Sequence, residues 1–138
     1  MIRAFSLMLF LMGSGSGALA DVQVRVDVSD QSVTVSRGGE VMYRWVASTG
    51  SLGYESPLGT FRPVRMHEIW HSRKYDGVPM PNSIFFFRGY AIHGSLDTRN
   101  LGRPASRGCV RLHPENAKVL FDIVKEQGMS RTVIIVQE

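Results

Sequence analysis

The sequence predicts a mainly β domain with one helix late in the chain, and three patterns carry that expectation. Val22, Val24, Val26 and Val28 alternate with Gln23, Arg25, Asp27 and Ser29, the period-two pattern of a half-buried strand. Arg37-Gly38-Gly39-Glu40 separates two β-rich runs as a hairpin turn would. Ala117, Leu120, Phe121 and Val124 recur at the spacing of a single helical face. One helix among about eight strands describes a β-sandwich or small barrel with a helix docked over residues 114–127.

The elements follow in chain order. Residues 1–20 read as a secretory signal peptide. Arg3 supplies positive charge, Ala4 to Met12 form an apolar run, and Ala18-Leu19-Ala20 gives a small-x-small cleavage pattern before Asp21. That run is too short for a spanning helix. Cleavage there leaves one domain, 21–138, exported to the periplasm or cell envelope. Val33 and Val35 continue the first alternation after a polar turn, and Val41 to Ser48 form the return strand. Ser83 to Phe87 and Tyr90 to His93 flank Arg88-Gly89 as two further strands. Pro114 suits a first helical position with Glu115 beside it. Val119 and Ile123 widen the apolar face, and Gly128 ends the helix. Thr132 to Val136 is a buried closing strand, and His113 is placed to cap the helix.

The formal net charge is +4, or +3 without Arg3, a balance that suits an anionic partner such as a cell-wall polymer. No Lys/Arg run interleaved with aromatics marks a nucleic-acid site. No repeat or linker divides the chain after residue 20, and a monomer is expected.

Cys109 is the only cysteine, so it cannot form an internal disulfide in an exported chain. It lies in Ser106-Arg107-Gly108-Cys109-Val110-Arg111, sixteen residues after His93 in Ile92-His93-Gly94. An imidazole can take a thiol proton and hold the nucleophilic thiolate. Gly108 lets the backbone turn sharply and lets a substrate carbonyl approach the amides of 108 and 109 as an oxyanion site. Arg107 and Arg111 give the segment a cationic rather than core-like character and favour the thiolate. Cys109 as a small buried hydrophobe is the competing reading. The residues favour acyl transfer by a Cys–His pair, with no cofactor.

His67-Glu68-Ile69-Trp70-His71 spells H-E-x-x-H. Zinc chemistry needs those histidines on one helical face. The surrounding segment is loop-rich and β-biased, and no third-ligand pattern follows. No metal site is assigned.

Several ordered motifs together resemble the L,D-transpeptidase catalytic domain family (YkuD-type) over nearly all of residues 21–138. They are Ser48-Thr49-Gly50, Ser56-Pro57-Leu58-Gly59-Thr60-Phe61, Met80 to Phe86, Ile92-His93-Gly94 and Ser106 to Arg111. The resemblance implies that Cys109 attacks the carbonyl between a diamino acid and the terminal D-alanine of a peptidoglycan stem tetrapeptide. His93 is then general base and acid, and the Gly94 carbonyl orients its ring. Arg111 binds a substrate carboxylate, with Arg107 and Ser106 beside it, while Trp70 and Tyr75 line the cleft. The thioester passes to a second stem peptide, giving a 3→3 cross-link, or to the amine of an envelope protein. Water as acceptor makes an L,D-carboxypeptidase or endopeptidase, and loss of turnover leaves a wall-binding domain. Arg107 stands where the family's signature commonly has histidine, and its guanidinium cannot act as a base.

Overall fold

The computed structural model describes residues 21–138; the expected signal peptide lies outside the described residues. The alternating valines form β1 (Val22–Asp27), which turns back into β2 (Ser32–Arg37). Gly38 and Gly39, both in the left-handed region at φ +58° and +82°, make the tight turn that glycine permits. They lead into β3 (Glu40–Ser48). Two three-residue strands follow, β4 (Gly59–Phe61) and β5 (Arg65–His67). Then come β6 (Ser83–Phe87), β7 (Tyr90–Gly94) and β8 (Val110–Leu112). Helix α1 (Pro114–Gln127) and β9 (Thr132–Gln137) complete the described chain.

The nine strands of the described residues join one sheet in the order β4-β9-β1-β2-β3-β8-β7-β6-β5. Every pairing is antiparallel except β1 with β9 and β7 with β8. The sheet curls into a half-barrel that brings β4, at one end, against β6, next to the other. Phe61 of β4 packs on Phe86 and Phe87 of β6, with ring centroids 5.2 Å and 5.4 Å apart. The expected mainly β, barrel-like architecture is therefore present as one curled sheet.

The core fills the hollow of that curl. Val22, Val24 and Val26 of β1, Val33 and Val35 of β2, and Ile134 and Val136 of β9 face it. Helix α1 closes it with Ala117, Leu120, Phe121 and Val124, each large side chain contributing about 1.5–3 kcal/mol by burial. The helix starts as expected. His113 caps it, its Nδ1 accepting from the Glu115 N–H at 3.2 Å, and Pro114 occupies the first turn. It sits on β7 because Gly94 has no side chain. A Cβ there would lie 3.1 Å from Pro114 Cα and 3.4 Å from the Ala117 Cβ.

Candidate active site

The pleat of β7 and β8 sorts core residues from cleft residues. Parallel register sets Ile92 beside Val110, His93 beside Arg111 and Gly94 beside Leu112. Ile92, Val110 and Leu112 point into the main core. Successive strand residues face opposite ways, so Ala91, His93 and Arg111 face out, and Cys109 follows them. Cys109 and Ala91 belong to a second, smaller cluster with Met80 and Phe85 on that outer side. The reading of this segment as cationic rather than core-like is thus corrected for its second half. Buried Val110 and Leu112 bracket Arg111 within β8, but three residues complete only one period.

This outer side opens into a cleft of about 450 Å³. His93, Cys109, Arg111, Ser106 and Arg107 line it, together with Tyr75 and Asp76 from the 68–82 segment and Asp97 from the loop after β7. His93 is buried, and its Nδ1 lies 2.6 Å from the Gly94 carbonyl oxygen. A carbonyl only accepts, so Nδ1 carries the proton and Nε2 keeps its lone pair. Burial is the main cause that lowers this imidazole to about 4. The Gly94 bond opposes that fall and the Arg111 charge adds to it. The ring in the free protein is therefore a neutral base at pH 7.

Cys109 does not show the depressed thiol expected from its arginines. Burial pushes the thiol above its ordinary value, outweighing the Ala91 backbone and Arg111, both of which lower it. The thiol also makes a long contact, 3.9 Å, to the Gly89 carbonyl. The sequence displays the cations but not the protein packed around the sulfur, and the packing wins. Both shifts favour the neutral forms, thiol and imidazole.

The loop that carries Cys109 is braced from behind. Ser106 Oγ donates to the Cys109 carbonyl and accepts the Gly108 N–H at 3.1 Å. Ser56 Oγ donates to the Gly108 carbonyl at 2.7 Å and accepts the Gly50 N–H at 3.0 Å. The N–H groups of Ala105 and Ser106 both reach the Thr49 carbonyl at 3.0 Å. The site reading did not include Ser56 or Thr49. Both lie in the segments 48–50 and 56–61 that were legible as motifs, though not as braces of a loop some fifty residues on. Gly108 has φ +123°, and a Cβ there would sit 2.4 Å from the Tyr90 ring, so only glycine fits. Its amide is engaged by Ser106, so what Gly108 supplies here is the turn rather than a free oxyanion donor.

Two aromatic assignments part ways. Tyr75 lines the cleft, with the Arg107 guanidinium 4.5 Å from its ring centroid, a cation–π contact. Arg107 thus ties the loop that carries Cys109 to the 68–82 segment. Trp70 does not line the cleft. It packs edge-on to Phe85 at 5.4 Å and against the cluster that holds Cys109. In H-E-x-x-H, His67 ends β5 and His71 lies beyond it in a bridge to Pro79. The helical spacing that zinc ligation needs is absent from this segment.

Comparison with known proteins agrees with this geometry. The profile of the L,D-transpeptidase catalytic domain, YkuD, matches residues 21–135. L,D-transpeptidase 1 of Mycobacterium tuberculosis is 28% identical over 113 residues, covering 70% of this chain and 44% of that protein. The structure of an L,D-transpeptidase from Mycobacterium smegmatis superposes with a TM-score of 0.75 at 26% identity, over 86% of this chain and 59% of that one. One from Stackebrandtia nassauensis gives 0.76 at 25% identity, over 86% and 56%. The chain spans less than half of the curated relative and under two thirds of these solved chains. The match spans the cleft residues, the docked helix and all of the sheet but the end of β9, and the chain belongs to the L,D-transpeptidase catalytic domain family.

Proposed function

We propose that the protein is a cysteine L,D-transpeptidase of the cell envelope acting on peptidoglycan stem tetrapeptides. The observation that supports it most is the β7–β8 register. It sets His93, Cys109 and Arg111 on one wall of a cleft with Nδ1 of His93 tied to Gly94.

In this mechanism the donor enters with its scissile carbonyl over Sγ. His93 Nε2 takes the thiol proton as Sγ attacks the carbonyl carbon. Because the resting groups are both neutral, charge develops only in the transition state, where binding is most effective. The Cys109 N–H, on the segment Ser106 braces, stabilises the oxyanion. The C–N bond then breaks, His93 gives its proton to the departing D-alanine amine, and a thioester remains. An acceptor amine loses its proton to His93 and attacks the thioester, and the thiol recovers that proton. Arg111 holds a donor carboxylate, since its planar fork fits one bidentately. The acceptor is a second stem peptide or an envelope-protein amine, and water yields the carboxypeptidase outcome.

Incubation with a tetrapeptide donor, followed by intact-protein mass, tests this. The expected result is an adduct on Cys109 that lacks D-alanine and is discharged by an added amine. Absence of an adduct, or turnover by Cys109→Ala, would refute it.

A further inference from the structure

Gln31 ends the turn between β1 and β2, outside the residues that line the cleft. Its backbone is in the left-handed region at φ +50°, a conformation that asparagine or glycine adopts more readily. The residue is nevertheless only 5% exposed, so the turn alone does not account for a glutamine here. A buried amide is costly unless it is hydrogen-bonded, and this one is fully engaged. Nε2 donates to the Val28 carbonyl at 2.6 Å and to Thr49 Oγ1 at 2.7 Å, and Oε1 accepts the Thr49 N–H at 2.9 Å. Two of those three bonds grip one residue, Thr49, by its backbone and its side chain together. A further tie runs through the main chain, where the Ala47 N–H donates to the Gln31 carbonyl at 2.8 Å.

Thr49 passes that grip on. Its carbonyl accepts the Ala105 and Ser106 N–H groups, and Gly50 beside it bridges to Ser106. Ser106 in turn holds the Cys109 carbonyl and the Gly108 N–H. Gln31, Thr49 and Ser106 are all buried, where a hydrogen bond is stronger than in water and an unmade one costs more. We infer that Gln31 is a positioning residue for the reaction at Cys109. By fixing Thr49 it sets the 105–109 loop against β7, and so where Sγ stands relative to His93. The inference rests on the proposed acylation of Cys109. Gln31 touches neither the cleft nor the reacting atoms, so it acts on the rate of attack and not on donor affinity. A displacement of about 1 Å at a reacting atom is enough to cost about a hundredfold in rate.

Gln31→Asn separates the clamp from the turn. Asparagine tolerates the left-handed backbone, yet its amide stops one methylene, about 1.5 Å, short of Thr49. Hydrogen exchange reads the loop with no substrate present. The Ala105 and Ser106 amides should exchange about tenfold faster in the variant, while those of β1 and β9 keep their rates. With a tetrapeptide donor and intact-mass detection, the saturating acylation rate should fall by about ten- to a hundredfold. The half-saturating donor concentration should stay unchanged. Thr49→Val removes only the hydroxyl end of the clamp and should fall between; it carries the same test if Gln31→Asn does not fold. Combining the two should add no loss beyond Gln31→Asn, because they act as a unit. Iodoacetamide needs no orientation and should alkylate the variants no more slowly than wild type. Unchanged exchange and acylation would overturn the inference. So would faster exchange throughout the sheet with full acylation, which marks a structural role, or a rise confined to the half-saturating concentration, which marks donor binding. If the wild type takes up no tetrapeptide while its thiol still alkylates, the proposed reaction falls and the rate effect with it; the exchange result then decides alone whether Gln31 fixes the loop.

Discussion

Burial of His93 as a neutral ring makes folding stability depend on pH in a defined window. Its imidazole is lowered from 6.5 to about 4, chiefly by burial. Above 6.5 the ring is neutral in both folded and unfolded chains, so the full stability is present. As pH falls from 6.5 toward 4, the unfolded chain takes up a proton that the folded one refuses, and stability is lost. Each pH unit in the window is worth about 1.4 kcal/mol, so the ceiling is about 3 kcal/mol, and between pH 7 and 4.5 the loss is about 2 kcal/mol. Carboxylates titrating in the same range are shared with a variant and cancel in a difference. Urea unfolding of wild type and His93→Gln at pH 7 and 4.5 is the assay. The wild type should lose about 2 kcal/mol more than the variant. Equal losses would show that His93 is not held neutral by its surroundings, and the resting thiol–imidazole description would fail with it.

Other consequences follow from the same geometry. The rate of Cys109 alkylation should inflect above the ordinary cysteine value of about 8.5, because burial raises the thiol. Arg111→Leu should move the inflection higher still, since Arg111 lowers it; an inflection below the ordinary value would refute this. Gly108→Ala should abolish acylation, its φ of +123° and the Tyr90 ring both excluding a Cβ. Gly38→Ala, at φ +58° in open space, should cost only about 1 kcal/mol and leave acylation intact. Ser56→Ala strips the Gly50 N–H and the Gly108 carbonyl of their partner. It should destabilise by about 1–3 kcal/mol in thermal or urea unfolding and slow acylation.

Long patterns were legible in the sequence and short ones were not. The valine alternation of β1, the double-glycine hairpin and the apolar face of α1 each repeat often enough to define a period. β4, β5 and β8 are three residues long and define none. That is why the segment holding Arg111 read as cationic rather than core-like, although Arg111 lies in a strand beside His93. Cys109 and His93 stood out by chemistry alone, and Gly94 only through the family resemblance. The neutral state of the pair did not, because it depends on what folds around the sulfur. Nor did the separation of Trp70 from Tyr75, which are five positions apart yet end in different surroundings.

The parallel pairing of β1 with β9 carries a consequence for how the sheet is assembled. Asp21 and Arg131, 110 positions apart in the chain, are joined at 2.9 Å where these two strands begin. Val22, Val24 and Val26 therefore wait for a partner that is synthesised 110 positions later. Non-local pairings of this kind carry the loop-closure entropy of the whole intervening chain and slow folding. Until Thr132–Gln137 arrives, one side of β1 is an unpaired, valine-rich ribbon open to other chains. A nascent or truncated polypeptide lacking Thr132–Gln137 is therefore the aggregation-prone species, and the rate at which β9 docks decides between a finished sheet and a precipitate.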